Sequence, residues 1–130
     1  MLTNGSAADL VIGQPDFYST KVNAVSASSL NGPVGVTVDS AGNLYVADTG
    51  NLRVLEYDSP FTNGKTADRV FGQPDFLKHT TCLTGSSALC SPQEVALDLG
   101  GRLYVADTGS NPVLEYEAPS TNSTATRVFG

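Results

Sequence analysis

The feature that most constrains this chain is a tandem repeat. "VADTG" at residues 46–50 recurs at 105–109, "VLEY" at 54–57 recurs at 113–116, and "GQPDF" at 13–17 recurs at 72–76. Each pair is offset by 59 residues, as from Val46 to Val105. Only the stretch leading to "RVFG" (69–72 and 127–130) is one residue shorter in its second copy. A chain written this way folds as repeated supersecondary units, each covering what its neighbour cannot bury alone.

Each unit reads as four strands. "VGVTVD" (34–39) is a β-branched run closed by the turn cluster "SAGN", in which Gly42 and Asn43 suit positive φ. "LYVAD" (44–48) ends in the turn "TGN", "RVLEYD" (53–58) follows, and a looser "SPFTNGKTA" leads to "DRVFG" (68–72). The second unit repeats the series with "EVALD", "LYVAD", "PVLEY" and "TRVFG". No segment carries a helical period, so the expected fold is all-β. Leu44, Tyr45, Val46 and Ala47 are consecutive, whereas a sheet wet on one side would alternate with polar residues. Strands covered on both faces imply sheets stacked on sheets, the arrangement of β-propeller blades.

The segment "PVGVTVDSAGNLYVADTGNLRVLEYD" (33–58) resembles an NHL repeat: a Pro-x-Gly start, an Asp-x-x-Gly-Asn turn, a Tyr-Val-Ala-Asp-Thr strand and an Asn-His-Arg turn, with Leu52 in the His position. "PQEVALDLGGRLYVADTGSNPVLEYE" (92–117) is looser, because Ser110, Asn111 and Pro112 replace Asn-His-Arg. The resemblance implies an NHL-type propeller, usually of six blades. The expected organisation is an N-terminal outer strand and long connection (1–32), blade 1 (33–72), a second long connection carrying both cysteines (73–91) and blade 2 (92–130). The chain then reads as a segment of a longer propeller or an engineered repeat unit. Three copies would supply six blades, so a homotrimeric ring is one expectation and an open two-blade fragment the other.

Charge narrows the partners. Seven basic against thirteen acidic residues give a net charge of −6, and no basic cluster offsets it, so nucleic acid is not expected. No apolar run is long enough to span a membrane, and the N-terminus lacks the basic start and apolar stretch of a signal peptide. Cys82 and Cys90 flank "CLTGSSALC" and are the only cysteines. Their spacing suits neither a two-residue redox motif nor a zinc site. A disulfide closing so short a loop contributes about 2–3 kcal/mol, less any strain, and points to an extracellular or cell-envelope setting; two unpaired thiols are the alternative.

Antiparallel order puts the "SAGN" turns and the segments after "VLEY" at one end of the sheets. The "TGN" and "TGS" turns lie at the other, with both long connections. Loops on a rigid scaffold carry recognition, so a protein or small-molecule ligand is expected at the loop-rich face.

No catalytic, cofactor or metal residues are expected. "ADTG" occurs twice, and Asp48 with Asp107 imitates an aspartic-protease dyad, yet that chemistry needs carboxyls about 3 Å apart in far larger lobes. The structural reading makes Asp48, Gly50, Asn51, Asp107 and Gly109 turn residues, each carboxylate accepting backbone N–H groups of its own turn. Asp39 and Asp98 recur likewise, without the dense oxygen ligands of a calcium loop. His79 is the only histidine and reads as a solvated loop residue. Tyr45, Tyr57, Tyr104 and Tyr116 recur in step, as packing residues between sheets. The function expected is a non-enzymatic NHL-like binding or structural scaffold. The alternative is a fragment of a metal-dependent propeller lyase or lactonase, in which ligands come from several blades.

Overall fold

A computed structural model describes residues 4–80, 85 and 88–130. The first sheet contains β1 (Pro33–Val38), β2 (Leu44–Asp48), β3 (Arg53–Tyr57) and β4 (Arg69–Phe71), paired in that order. The second contains β5 (Pro92–Leu97), β6 (Leu103–Asp107), β7 (Val113–Tyr116) and β8 (Arg127–Phe129). All pairings are antiparallel and the two registers correspond: Val46 faces Leu55 across the ladder as Val105 faces Leu114. Both sheets carry a register shift near the start of the first strand, between Pro33 and Val36 and between Pro92 and Glu94. The chain folds as two four-stranded propeller blades. One helical turn, α1 (Pro60–Asn63), interrupts the connection from β3 to β4, opened by Pro60, whose fixed φ suits a first helical position.

Consecutive apolar residues in β2 are explained by what lies on either side. Tyr45, Ala47, Val54 and Phe71 point from blade 1 into a core shared with Val95, Leu103, Val105, Leu114 and Tyr116 of blade 2. The Phe71 ring meets Tyr116 edge-on, centroids 5.1 Å apart, and Tyr45 lies 6.4 Å from Phe71. Val46, Leu55 and Tyr57 point the other way, into a second core closed by Ile12, Ala27, Leu30 and Phe76. Those four belong to the long connections, so the connections stand in for a neighbouring sheet. Each large side chain buried in these seams stabilises by about 1.5–3 kcal/mol, which is why alternation gives way to runs.

The extra N-terminal outer strand does not form. Residues 10–13 pair with no strand among the described residues; their attachment is one backbone bond, Leu30 N–H to the Gly13 carbonyl, 3.4 Å. A three-residue outer strand exists only through a ladder partner, and here β4 already occupies the outer edge of blade 1. The local geometry is nonetheless retained. Gly13 (φ 88°) fits over Leu30 as Gly72 (φ 89°) fits over Leu89, and an added Cβ at either would lie within 2.7 Å of the leucine.

The blades approach most closely at the inner strands. A Cβ on Gly35 would lie 2.5 Å from the Gln93 carbonyl oxygen and 3.0 Å from Glu94 Cα, both backbone atoms that cannot rotate away. Gly35→Ala is therefore expected to force β1 and β5 apart and destabilise the chain by about 1–3 kcal/mol in chemical denaturation. Phe61→Ala, at a ring 80% exposed, is expected to leave the midpoint unchanged.

Candidate functional site: the loop-bearing end

The turn from β2 to β3 is a short 3-10 segment (Thr49–Asn51) closed by Leu52 in the left-handed region. It places Asp48 and Arg53 side by side, both without solvent exposure. Arg53 Nε donates to Asp48 Oδ2 at 2.7 Å, Nη1 to the Phe76 carbonyl at 2.8 Å, and Nη2 to the Ser26 and Ser29 carbonyls at 2.9 Å each. One guanidinium thus fastens both long connections to blade 1. The planar fork suits this, since it offers five donors in fixed directions. Asp48 is filled by Arg53, by the Asn51 side-chain amide at 2.9 Å and by the Asn31 N–H at 2.7 Å.

This differs from the expected turn cap. Asp48 accepts no backbone N–H of the "TGN" turn; it binds the end of the preceding connection. The same holds in blade 2, where Asp107 accepts the Cys90 N–H at 2.9 Å and the Ser91 N–H at 2.6 Å, besides the Ser110 hydroxyl. Each carboxylate takes side-chain donors from its own turn and backbone N–H groups from the returning connection, which would otherwise be left unpaired. Gly50 and Gly109 sit beside that return, and the Gly50 N–H donates to the Asn31 carbonyl at 2.8 Å. Asp48 and Asp107 end strands of separate sheets, each with its own partners, so they form no dyad.

The "GQPDF" motif shapes the connections themselves. Gln14 donates to the Lys21 carbonyl and accepts from the Asn23 amide, each at 3.0 Å. Gln73 makes the matching bond to the Thr80 carbonyl at 3.1 Å, accepts the Thr80 N–H at 3.0 Å, and donates to the Leu52 carbonyl at 3.1 Å. Asp16 and Asp75 close the following turns by accepting N–H groups two residues on. Hydrogen bonds from Ser19 and Tyr18 hold the Asp16 carboxyl below its usual range.

The first connection does not remain at one end of the sheet. Ala67 N–H donates to the Ala27 carbonyl at 2.8 Å, and Lys65 Nζ reaches the Pro15 carbonyl at 3.1 Å and the Gln14 carbonyl at 3.3 Å. Segment 64–67, expected at the far end, therefore meets the loop along the flank of blade 1. Between them lies a groove of about 570 Å³, lined mainly by Gln14, Asn23, Ser26, Ser28, Lys65 and Thr66. Its lining is mostly apolar carbon, Pro15 included, with hydroxyl, amide and one ammonium group among it. Sequence reasoning missed both this groove and the clamp. The signal for the clamp was present: Asp48 and Arg53 flank a turn, and blade 2 has Pro112 where blade 1 has Arg53.

Asp39 and Asp98 are turn residues with full sets of donors. Asp39 accepts N–H groups from Ala41 and Asn43, and Asp98 from Gly100 and Arg102, all at 2.9 Å. His79 lies exposed on the second connection. Cys82 lies outside the described residues; among the described residues no cysteine is a free thiol. Tyr45, Tyr57 and Tyr116 are buried and pack between layers, while Tyr104 is half-buried. Burial, followed by the charge of a nearby carboxylate, raises the pKa of each of the three buried phenols.

Stacked four-stranded antiparallel sheets, with connections locked at one end, define this as a β-propeller repeat module. The NHL repeat family model matches residues 30–57, the segment that carries β1, β2 and β3 with Asp48 and Arg53. No curated protein matched the chain.

Two outcomes are expected. Arg53→Ala leaves Asp48 buried without its cation and frees both connections, and should lower stability by about 3–5 kcal/mol in denaturant titrations. Arg53→Lys recovers little of this, because one ammonium cannot span three carbonyls and a carboxylate. The second outcome concerns Glu56, buried and bound by Tyr45 Oη at 2.9 Å and by Arg69. Burial raises the Glu56 pKa above 4.5, against the opposing effect of those two donors. An acid raised in the folded state stabilises most when protonated, below its unfolded pKa, and that contribution is lost as pH rises through the folded value. Glu56→Gln has no such loss. Its stability relative to wild type should therefore increase as pH is raised from 4.5 to about 7.

Proposed function

We propose that this chain is a non-enzymatic NHL-like repeat module, a scaffold that presents its long connections to a protein or small-molecule ligand. The observation that carries this reading is how the motif side chains are used. Asp48, Arg53, Asn51, Gln73 and Asp107 are engaged in fastening connections to blades, and Gln14 in shaping the first connection. Serine, threonine, amide and lysine side chains line the groove between residues 14–29 and 64–66. A mostly apolar groove with a few convergent hydroxyl and amide groups suits a small ligand oriented by hydrogen bonds, and Lys65 adds one positive group for a carbonyl or carboxylate.

A Cys82–Cys90 cross-link belongs to the same reading. It would staple the second connection, which lacks a clamp like that of Arg53 in its own blade, and would suit an oxidising extracellular or cell-envelope setting.

Isotope-labelled chain titrated with a mixed peptide and fragment set should show amide shifts gathered at residues 14–29 and 64–66, and Lys65→Glu should abolish them. Shifts gathered at the opposite turns (39–43 and 98–102) would overturn the placement. Stoichiometric Ca²⁺ or Zn²⁺ accompanied by turnover of a lactone or polysaccharide would overturn the non-enzymatic reading.

A further inference from the structure

The chemistry of a ligand for the groove on the flank of blade 1 follows from which of its hydrogen-bonding positions are already taken. Its walls are the first connection and segment 64–66, and the residues lining it carry one charged group, the Lys65 ammonium. Lys65 Nζ donates to the Gln14 carbonyl at 3.3 Å and to the Pro15 carbonyl at 3.1 Å. An ammonium has three donors, so one remains, and the two carbonyls fix where it stands. Neither partner carries a charge, and among the described residues Lys65 belongs to no ion pair. Asp16 feels the Lys65 charge, but its Oδ1 already accepts the Tyr18 N–H, the Ser19 N–H and the Ser19 hydroxyl, at 2.9, 2.8 and 2.9 Å.

The other positions left over among the described residues are mostly donors. Ser28 Oγ and Thr66 Oγ1 lie 3.2 Å apart, one on each wall, and whichever donates leaves the other's proton over. The Asn23 amide gives one N–H to Gln14 Oε1 at 3.0 Å and keeps its second. One ammonium and two neutral donors, set among mostly apolar carbon, match an acceptor-rich head on an apolar body.

Charge decides which head. A phosphate carries close to two charges and is gathered by Arg forks or by several backbone N–H groups. Here a single ammonium stands against two carbonyl oxygens, near Asp16, on a chain of net charge −6. Such surroundings accept one diffuse negative charge and oppose a second. We propose that the groove takes a small organic monocarboxylate, its carboxylate on the remaining Lys65 donor and its apolar body along the wall that includes Pro15. This rests on the groove being the ligand site, as read above, and names the chemistry of what binds there.

Titration of the isotope-labelled chain with two matched pairs, benzoate against benzamide and butyrate against butyramide, tests this, with phenyl phosphate alongside. Each acid is expected to shift amides of residues 14–29 and 64–66 and to bind about tenfold more tightly than its amide, through a charge-assisted bond. Higher ionic strength should narrow that gap. Lys65→Gln should bring the acids down to their amides and leave the amides where they were, with the wild-type circular dichroism kept. Thr66→Val, at an exposed position away from the Lys65 tie, should weaken the acids by about threefold. Acid and amide bound alike at these residues would overturn the carboxylate and leave the groove reading standing. So would a preference that survives Lys65→Gln, or phenyl phosphate bound more tightly than benzoate. Shifts confined to other residues, or none at all, would overturn both.

Discussion

A sheet that is apolar on both faces has to be covered twice, and everything else in this chain follows from how that is met. Blade 1 is covered on one side by blade 2, through the Phe71–Tyr116 seam. On the other it is covered by connecting segments that bring Ile12, Leu30 and Phe76 against Val46 and Leu55. Connections in that role are under a demand ordinary loops do not face. They must hold an apolar surface in place while their own backbone groups are withdrawn from water.

The buried Arg53–Asp48 pair answers that demand. A lone buried charge is strongly disfavoured, and a buried pair is tolerated only when its remaining hydrogen-bond capacity is used. Here it is used on the connections: three carbonyls take guanidinium protons, and the Asn31 N–H takes the second carboxylate oxygen. Blade 2 shows the economy of the alternative. With Pro112 in place of Arg53, Asp107 secures the end of the second connection through the Cys90 and Ser91 N–H groups, and Thr108 through the Ser91 carbonyl. The flanking groove is a by-product of the first arrangement, since the loop is drawn far enough along the blade for Ala27 to meet Ala67.

Much of the fold was legible because its signals are local. Strand order, the turns at Asp39 and Asp98, and stacking of like units follow from β-branched runs, glycine-bearing turns and the repeat. The expectation of a strand at residues 10–13 failed for a nonlocal reason. "LVIG" resembles "RVFG", but a strand is made by its neighbour, and no β3 equivalent lies beside the first copy among the described residues. The turn-cap reading of Asp48 failed similarly. The residue type was right, but the donors that reach it arrive from 17 residues away, at Asn31.

What the sequence alone determined is therefore the unit and its multiplicity: four strands, written twice, apolar on both faces. Only the tertiary structure decided which faces meet and which stay open. Val36 and Val95 occupy matching places in matching strands, yet one is exposed and the other buried. Their identities cannot tell them apart, because burial is a property of what lies opposite a side chain rather than of the side chain itself.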